Sequence, residues 1–159
     1  MSAAFVFLLV LLPVRCWAFA ADIFLRASAS TGILVELLLA ISQVESGFHP
    51  HAINMSGQSY FPSSRNEALR LLRRSGDNVD IGLMQVNWRY HQDRLGTPWQ
   101  ALDPYHNLRV GAGILQDCYA TRQDWWGSVG CYHSPKDSHR ADRYRRRVVS
   151  HWQRIVKEG

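Results

Sequence analysis

The sequence predicts a mainly α fold built as one domain, on three observations. Apolar residues recur at helical spacing between Leu34 and Ile41, between Leu108 and Tyr119, and between Ala141 and Ile155. Helix starts and stops bracket these runs: Ser64 with Glu67, Asp103 followed by Pro104, and Gly47. No series of alternating strands, internal repeat or low-complexity tract competes with them.

The first residues set the compartment. Ala3 to Val14 is apolar, and Ala18-Phe19-Ala20 has the small-x-small pattern read by a signal peptidase, so residues 1–20 read as an export leader and 21–159 as the domain. The stretch before the apolar run has no Lys or Arg, which leaves an uncleaved anchor as the alternative, although the run is short for a membrane span. Arg15 before Cys16 rules out a lipid-attachment box. The remaining length supports one hydrophobic core and is too short for two. The formal charge is +5, and losing Arg15 with the leader makes it +4. Cys118 and Cys131 then form an even pair. In an exported chain they read as a disulfide between one helix end and a nearby later helix, or else as two buried thiols.

The domain opens with an apolar pattern from Ile23 to Leu39, interrupted at Thr31-Gly32, where Ser30 or Thr31 is the expected N-cap of the following helix. In that helix Leu34, Leu37, Leu38, Ile41 and Glu45 share one stripe, so Glu45 faces the apolar side. A carboxyl there loses hydration, which raises its pKa and suits it to general-acid work. The plainer reading is a helix-terminal Glu in a structural hydrogen bond. Gly47 and His49-Pro50 end the helix.

His51 to Ser63 reads as a loop rich in Asn, Ser, Gly and Pro, with Tyr60-Phe61 placed either to pin the loop or to stack on a ligand. Ser64 and Glu67 form a capping box for a short helix through Leu72 that ends at Ser75-Gly76. Arg65, Arg70, Arg73 and Arg74 cover its other face, as a solvated surface or a contact for an acidic partner. Val79-Asp80-Ile81 leads into Gly82-Leu83-Met84-Gln85-Val86-Asn87, either a short strand or a cleft wall. In a cleft wall Gly82 permits close approach and Gln85 and Asn87 supply hydrogen bonds. Asp80 is the carboxylate next to that segment.

Trp88 to Gln100 reads as a loop with a turn at Gly96-Thr97-Pro98. The helix begun at Asp103-Pro104 buries Leu108, Ala112, Leu115 and Tyr119, and Gly111, Ala112 and Gly113 are expected to admit a neighbouring helix. Another helix is expected from Gln123 to about Tyr132, ended by Gly130 to Pro135. The last carries Ala141, Tyr144, Val148, Trp152 and Ile155 on one stripe, flanked by Arg140, Arg143, Arg145, Arg146 and Arg147. His49 and His51 lack a third ligand at a fixed offset, so no metal and no cofactor are expected. The basic last helix comes with no nucleic-acid motif, so no nucleic-acid partner is expected; a solvated face or contact with an anionic polymer or membrane surface accounts for it.

Three motifs now stand in order: Glu45-Ser46-Gly47-Phe48, Gly82-Leu83-Met84-Gln85-Val86-Asn87, and Tyr132 in a short apolar-to-turn segment. Together they resemble the soluble lytic transglycosylase domain, related to goose-type lysozyme, over roughly Ile33 to Trp152. The resemblance implies a lysozyme-like helical domain with a cleft that cleaves the β-1,4 bond between N-acetylmuramic acid and N-acetylglucosamine without water. It makes Glu45 the catalytic acid and base, Gln85 and Asn87 cleft residues, and Ser46 part of the glycan site. Tyr132 matches a tyrosine whose hydroxyl orients Glu45 or the sugar. The chain departs from the family where His133-Ser134-Pro135 replaces Asn-Ala-Gly, and where the segment between Asn54 and Asp80 is longer. That longer segment, the small single domain and Cys131-Tyr132-His133-Ser134-Pro135 together resemble the specialised transglycosylases of conjugation and secretion systems. The expected setting is therefore a periplasmic monomer acting on peptidoglycan glycan strands beside components of such a machine. Two rival readings remain open: a hydrolytic muramidase in which Asp80 activates water, and an inactive glycan-binding scaffold.

Overall fold

A computed structural model describes the backbone of residues 14–158 and the side chains of residues 22–157. Of the expected leader, residues 1–13 lie outside the described residues, and the remainder belongs to the first helix, which runs on past Ala20. Among the described residues no helix is long and apolar enough to cross a membrane.

Eight helices and one small sheet make up the described chain, as a mainly α domain. Helix α1 (Val14–Thr31) stops where Thr31-Gly32 predicted, and α2 (Val35–Ser46) follows. The expected cap is different. The Ser30 and Thr31 hydroxyls donate back to the Ala27 carbonyl at 3.0 and 2.7 Å, so they close α1, and Leu34 occupies the N-cap position of α2 without a side-chain bond. Leu34 is extended there and 61% exposed, so the buried stripe of α2 begins at Leu37 and continues through Leu38 and Ile41.

The segment read as a loop after α2 contains a hairpin, β1 (Ile53–Met55) and β2 (Gln58–Tyr60), turning at Ser56-Gly57. Strands β3 (Val79–Ile81) and β4 (Val86–Asn87) complete an antiparallel sheet in the order β2-β1-β3-β4. Strands of two or three residues are too short to print a period-two pattern, which is why the sequence hid them. Between β2 and β3 lies α3 (Arg65–Leu72). Ser64 caps it by accepting the Glu67 N–H at 3.2 Å, but the Glu67 carboxylate turns to the Ser63 N–H and hydroxyl, both at 2.8 Å, so only half of the expected box forms.

Trp88 to Gln100 is also more ordered than expected. It holds α4 (Trp88–Leu95), in which Leu95 alone is buried, and the single turn α5 (Pro98–Ala101), closed by a Thr97–Gln100 capping box. A polar helix with one core contact carries no apolar stripe to read. Helix α6 (Pro104–Arg122) starts as predicted, with Asp103 accepting the His106 N–H at 2.8 Å. Gln123 takes a left-handed φ of 56° as the C-cap of α6, and Asp124 caps α7 (Trp125–His133), so that helix starts two residues later than expected. Helix α8 (Ser138–Glu158) closes the chain.

Helix α6 packs against α1 and α7, α7 against α8, and α8 returns to α2. The core is continuous from Leu38 and Ile41 of α2 through Ile53, Ile81 and Met84 to Leu108 and Leu115 of α6, Val129 of α7 and Val148 of α8. Gly111 serves the fold differently from the prediction. A Cβ there would stand 2.6 Å from the Met84 side chain, so the glycine makes room for the segment between β3 and β4.

Candidate active site

Glu45 lies in the last turn of α2, on the stripe that buries Leu38 and Ile41. It lines a cavity of about 700 Å³ together with Asp80 of β3, Gln85, Asn87 of β4, and Tyr132 and His133 of α7. Tyr90 and His91 of α4 border the same space, as does the connection from Ser134 to Asp137 with Arg140 of α8. Four of the five residues expected at a glycan site, and the alternative carboxylate Asp80, are thus brought into one cleft.

Next to the end of α2 is a tight turn, 82–85, fastened from several helices. Gly82 has φ 81°, and a Cβ on it would sit 2.5 Å from the Asn107 amide, so the position needs glycine both for its backbone and for its contact. Asn107 of α6 is fully buried. It donates to the carbonyls of Ile81 at 2.8 Å and Ala101 at 3.1 Å, and accepts the Met84 N–H at 2.9 Å. Ser46 does not line the cavity. Its hydroxyl is shared between the carbonyls of Leu83 at 2.9 Å and Ser42 at 3.1 Å, tying the end of α2 to this turn. Tyr132 donates its hydroxyl to the Met84 carbonyl at 2.7 Å, so its ring forms cleft wall while its OH holds the turn. Gln85, at φ 45°, donates its amide to the carbonyls of Ala52 at 3.1 Å and Gly82 at 2.9 Å. The Ala52 and Gly82 carbonyls also take backbone donors, Gly82 N–H at 2.7 Å and Gln85 N–H at 3.2 Å, so the Gln85 amide braces a turn that is already hydrogen-bonded.

The side chain that touches Glu45 is Tyr144 of α8, which donates to Oε1 at 2.5 Å. The sequence placed Tyr144 on the buried stripe without a role. A tyrosine in a core stripe was itself the signal, since a buried phenol needs a partner. Asn107 was missed for a related reason: a lone amide beside the apolar stripe of α6 marks a buried hydrogen-bonding duty.

The Glu45 carboxyl is raised from 4.5 to about 7. Loss of hydration is the largest cause and the Asp80 charge adds to it, against the Tyr144 hydrogen bond and the Arg147 charge, which favour the carboxylate. Burial also raises Asp80, opposed by the Asn87 amide, which donates to its Oδ1 at 2.8 Å. The same amide reaches Asn78 at 3.1 Å, while Asn87 Oδ1 is buried without a hydrogen bond. Tyr132 and Tyr144 are held well above the ordinary phenol value by burial and by Glu45, so both remain donors.

His133 lies flat on the Tyr144 ring, with centroids 4.3 Å apart and planes at 3°. Burial and the charges of Arg147 and Arg140 lower its pKa, which keeps the imidazole neutral near pH 7. Cys118 of α6 and Cys131 of α7 form the expected disulfide, with Cα atoms 5.9 Å apart, and both border the cleft. Closing a loop of this length adds about 3 kcal/mol by the chain-entropy account.

The arrangement can hold a proton on a carboxyl near neutral pH, aim it by one phenol, and accept a neutral polar chain along amides and aromatic rings. Comparison with known proteins points the same way. A family model described as "Transglycosylase SLT domain" matches residues 22–153. The "Type IV secretion system protein virB1" of Brucella abortus is 42% identical over 90 residues, covering 53% of this chain and 37% of the relative, so the chain spans well under half of that protein. The "Invasion protein IagB" of Salmonella typhimurium is 33% identical over 143 residues, covering 85% of this chain and 78% of the relative. "Protein virB1" of Agrobacterium fabrum is 35% identical over 88 residues, covering 52% and 36%. No solved structure matches significantly.

Proposed function

This chain belongs to the transglycosylase SLT domain family, and from that premise we propose that it is a peptidoglycan lytic transglycosylase with Glu45 as both acid and base. Glu45 gives its proton to the glycosidic oxygen as the bond from the muramyl anomeric carbon breaks, and the N-acetylglucosamine hydroxyl departs. The resulting carboxylate takes the proton of the muramyl 6-hydroxyl, whose oxygen bonds to the anomeric carbon. The ring closes as a 1,6-anhydro end and Glu45 is protonated again. One carboxyl suffices because the substrate supplies the nucleophile, whereas most glycosidases use two.

The observation that carries this reading is the burial of the Glu45 carboxyl at the cleft, which favours its protonated form. A carboxyl raised to about 7 holds its proton in a large share of molecules at neutral pH and is still a competent base afterwards. Tyr144 is its positioning residue, donating to Oε1. Asn87, Gln85 and Tyr132 form the cleft wall against which the glycan lies. Ser46 acts through the 82–85 turn.

The expected leader and the relatives' names support a reading of the setting. The protein is exported through residues 1–20 to the periplasm and acts there as a monomer. It opens the wall locally for a secretion or conjugation machine, in line with relatives named for type IV secretion and invasion.

The test is the pH dependence of kcat/KM on purified peptidoglycan. The rate is expected to fall as pH rises through about 7, where free Glu45 loses its proton, and Glu45→Gln is expected to remove turnover. A rate that keeps rising through pH 7, or a Glu45→Gln protein with undiminished turnover, would overturn the assignment.

A further inference from the structure

One wall of the cleft carries charge that a neutral glycan chain does not use. Lys136 and Arg140 line the same cavity as Glu45. Asp137, between them in sequence, lines the same cavity and offsets one of the two charges; its Oδ1 accepts the Arg140 backbone N–H at 3.0 Å, at the start of α8. Its other oxygen stands 3.8 Å from Arg140 Nε, a loose pair between side chains that are 51% and 68% exposed. Lys136 pairs with no carboxylate among the described residues. Further along α8, Asp142 pairs with Arg145 at 2.8 Å, while Arg143, Arg146 and Arg147 add cations with no carboxylate partner among the described residues. The fields of Arg140 and Arg147 both reach His133 in the cleft. From β3, β4 and α4 come one carboxylate, Asp80, and the uncharged Asn87, Tyr90 and His91. The cationic excess is therefore confined to the Lys136–Arg140 side.

We propose that this wall binds the peptide stem of peptidoglycan, with Lys136 and Arg140 taking the stem carboxylates while the glycan lies against Glu45. The inference rests on the function proposed above and names the part of the substrate that this side of the site reads. The sugar rings contribute hydroxyls and acetamides without charge, and the anions belong to the peptide branch carried by the muramyl ring at the scissile bond. Because Lys136 and Arg140 share their cavity with Glu45, an anion there is supplied most directly by the molecule whose glycan fills the rest of it. A membrane surface or a separate polymer would have to enter the same space. Exposed ion pairs are individually weak, so two of them give a several-fold preference rather than an absolute requirement.

The test uses Glu45→Gln protein, which holds substrate without consuming it, co-sedimented with insoluble peptidoglycan. One sample of the polymer is native, and in the other the carboxylates are capped with a neutral amine. The native polymer is expected to bind about three- to tenfold tighter at low salt. Adding Lys136→Gln and Arg140→Gln is expected to abolish that difference, while Arg73→Gln with Arg74→Gln, exposed just past the end of α3, preserves it. Equal binding to native and capped polymer would overturn the proposal. So would an equal loss in the Arg73 and Arg74 variant, which would mean that net charge alone acts. Product release by the unmutated protein, measured alongside, separates the two readings. Absent turnover counts against the lytic reaction, and the binding contrast still decides the stem.

Discussion

Replacing Glu45 by Gln should stabilise the protein at alkaline pH while removing its activity. Folding raises the Glu45 carboxyl from 4.5 to about 7, so between those values the native state holds a proton that the unfolded chain has released. Stability therefore falls as pH rises through this window, at a limiting slope of about 1.4 kcal/mol per pH unit, and the accumulated loss above pH 7 is about 3 kcal/mol. Glutamine does not titrate and still offers Tyr144 an acceptor oxygen. Urea denaturation of both proteins from pH 5 to 8.5, followed by tryptophan fluorescence and far-UV circular dichroism, reads the difference directly. The gap should shift in favour of Glu45→Gln by about 2 to 3 kcal/mol across that range and level off above the folded pKa. A pH-independent gap would refute the reasoning, because it would mean that folding leaves the Glu45 proton affinity unchanged.

Other perturbations move the same proton in opposite directions. Tyr144→Phe removes the 2.5 Å hydrogen bond that favours the carboxylate, so the alkaline limb of kcat/KM should move to higher pH while kcat falls about tenfold from lost positioning. Asp80→Asn removes a charge that raises Glu45, so that limb should move to lower pH, as a pH profile on purified peptidoglycan would show. Asn107→Ala leaves the Met84 N–H and the Ile81 and Ala101 carbonyls without their side-chain partner, and should cost about 3 kcal/mol in denaturant unfolding. It should also lower activity, because the 82–85 turn is part of the cleft wall.

What the sequence made legible follows the strength of its periodic and capping signals. Glu45 was placed correctly because Leu37, Leu38 and Ile41 precede it at helical spacing, and Gly47 closes the helix. Assigning Cys16 to the leader leaves Cys118 and Cys131 as an even pair, open between a disulfide and two buried thiols, and the structure joins them. The sheet escaped because its strands are two or three residues long, and α4 because it buries little more than Leu95. Within the site, sequence order identified the elements that meet but not which hydroxyl reaches which acceptor. Tyr132 stood nearest a known motif, yet it holds Met84, while Tyr144, ninety-nine residues from Glu45, makes the contact with the carboxyl. Such a pairing depends on how α8 returns to α2, which no local pattern records.

The most direct test of the central claim is mass spectrometry of the muropeptides released from purified peptidoglycan, by the unmutated protein and by Glu45→Gln. The account predicts muramyl ends one water lighter than reducing ends, the mark of an intramolecular 1,6-anhydro bond, and their disappearance with Glu45→Gln. Reducing ends would contradict it, because water would then be the nucleophile and Asp80, which lines the same cleft, the group to examine for activating it.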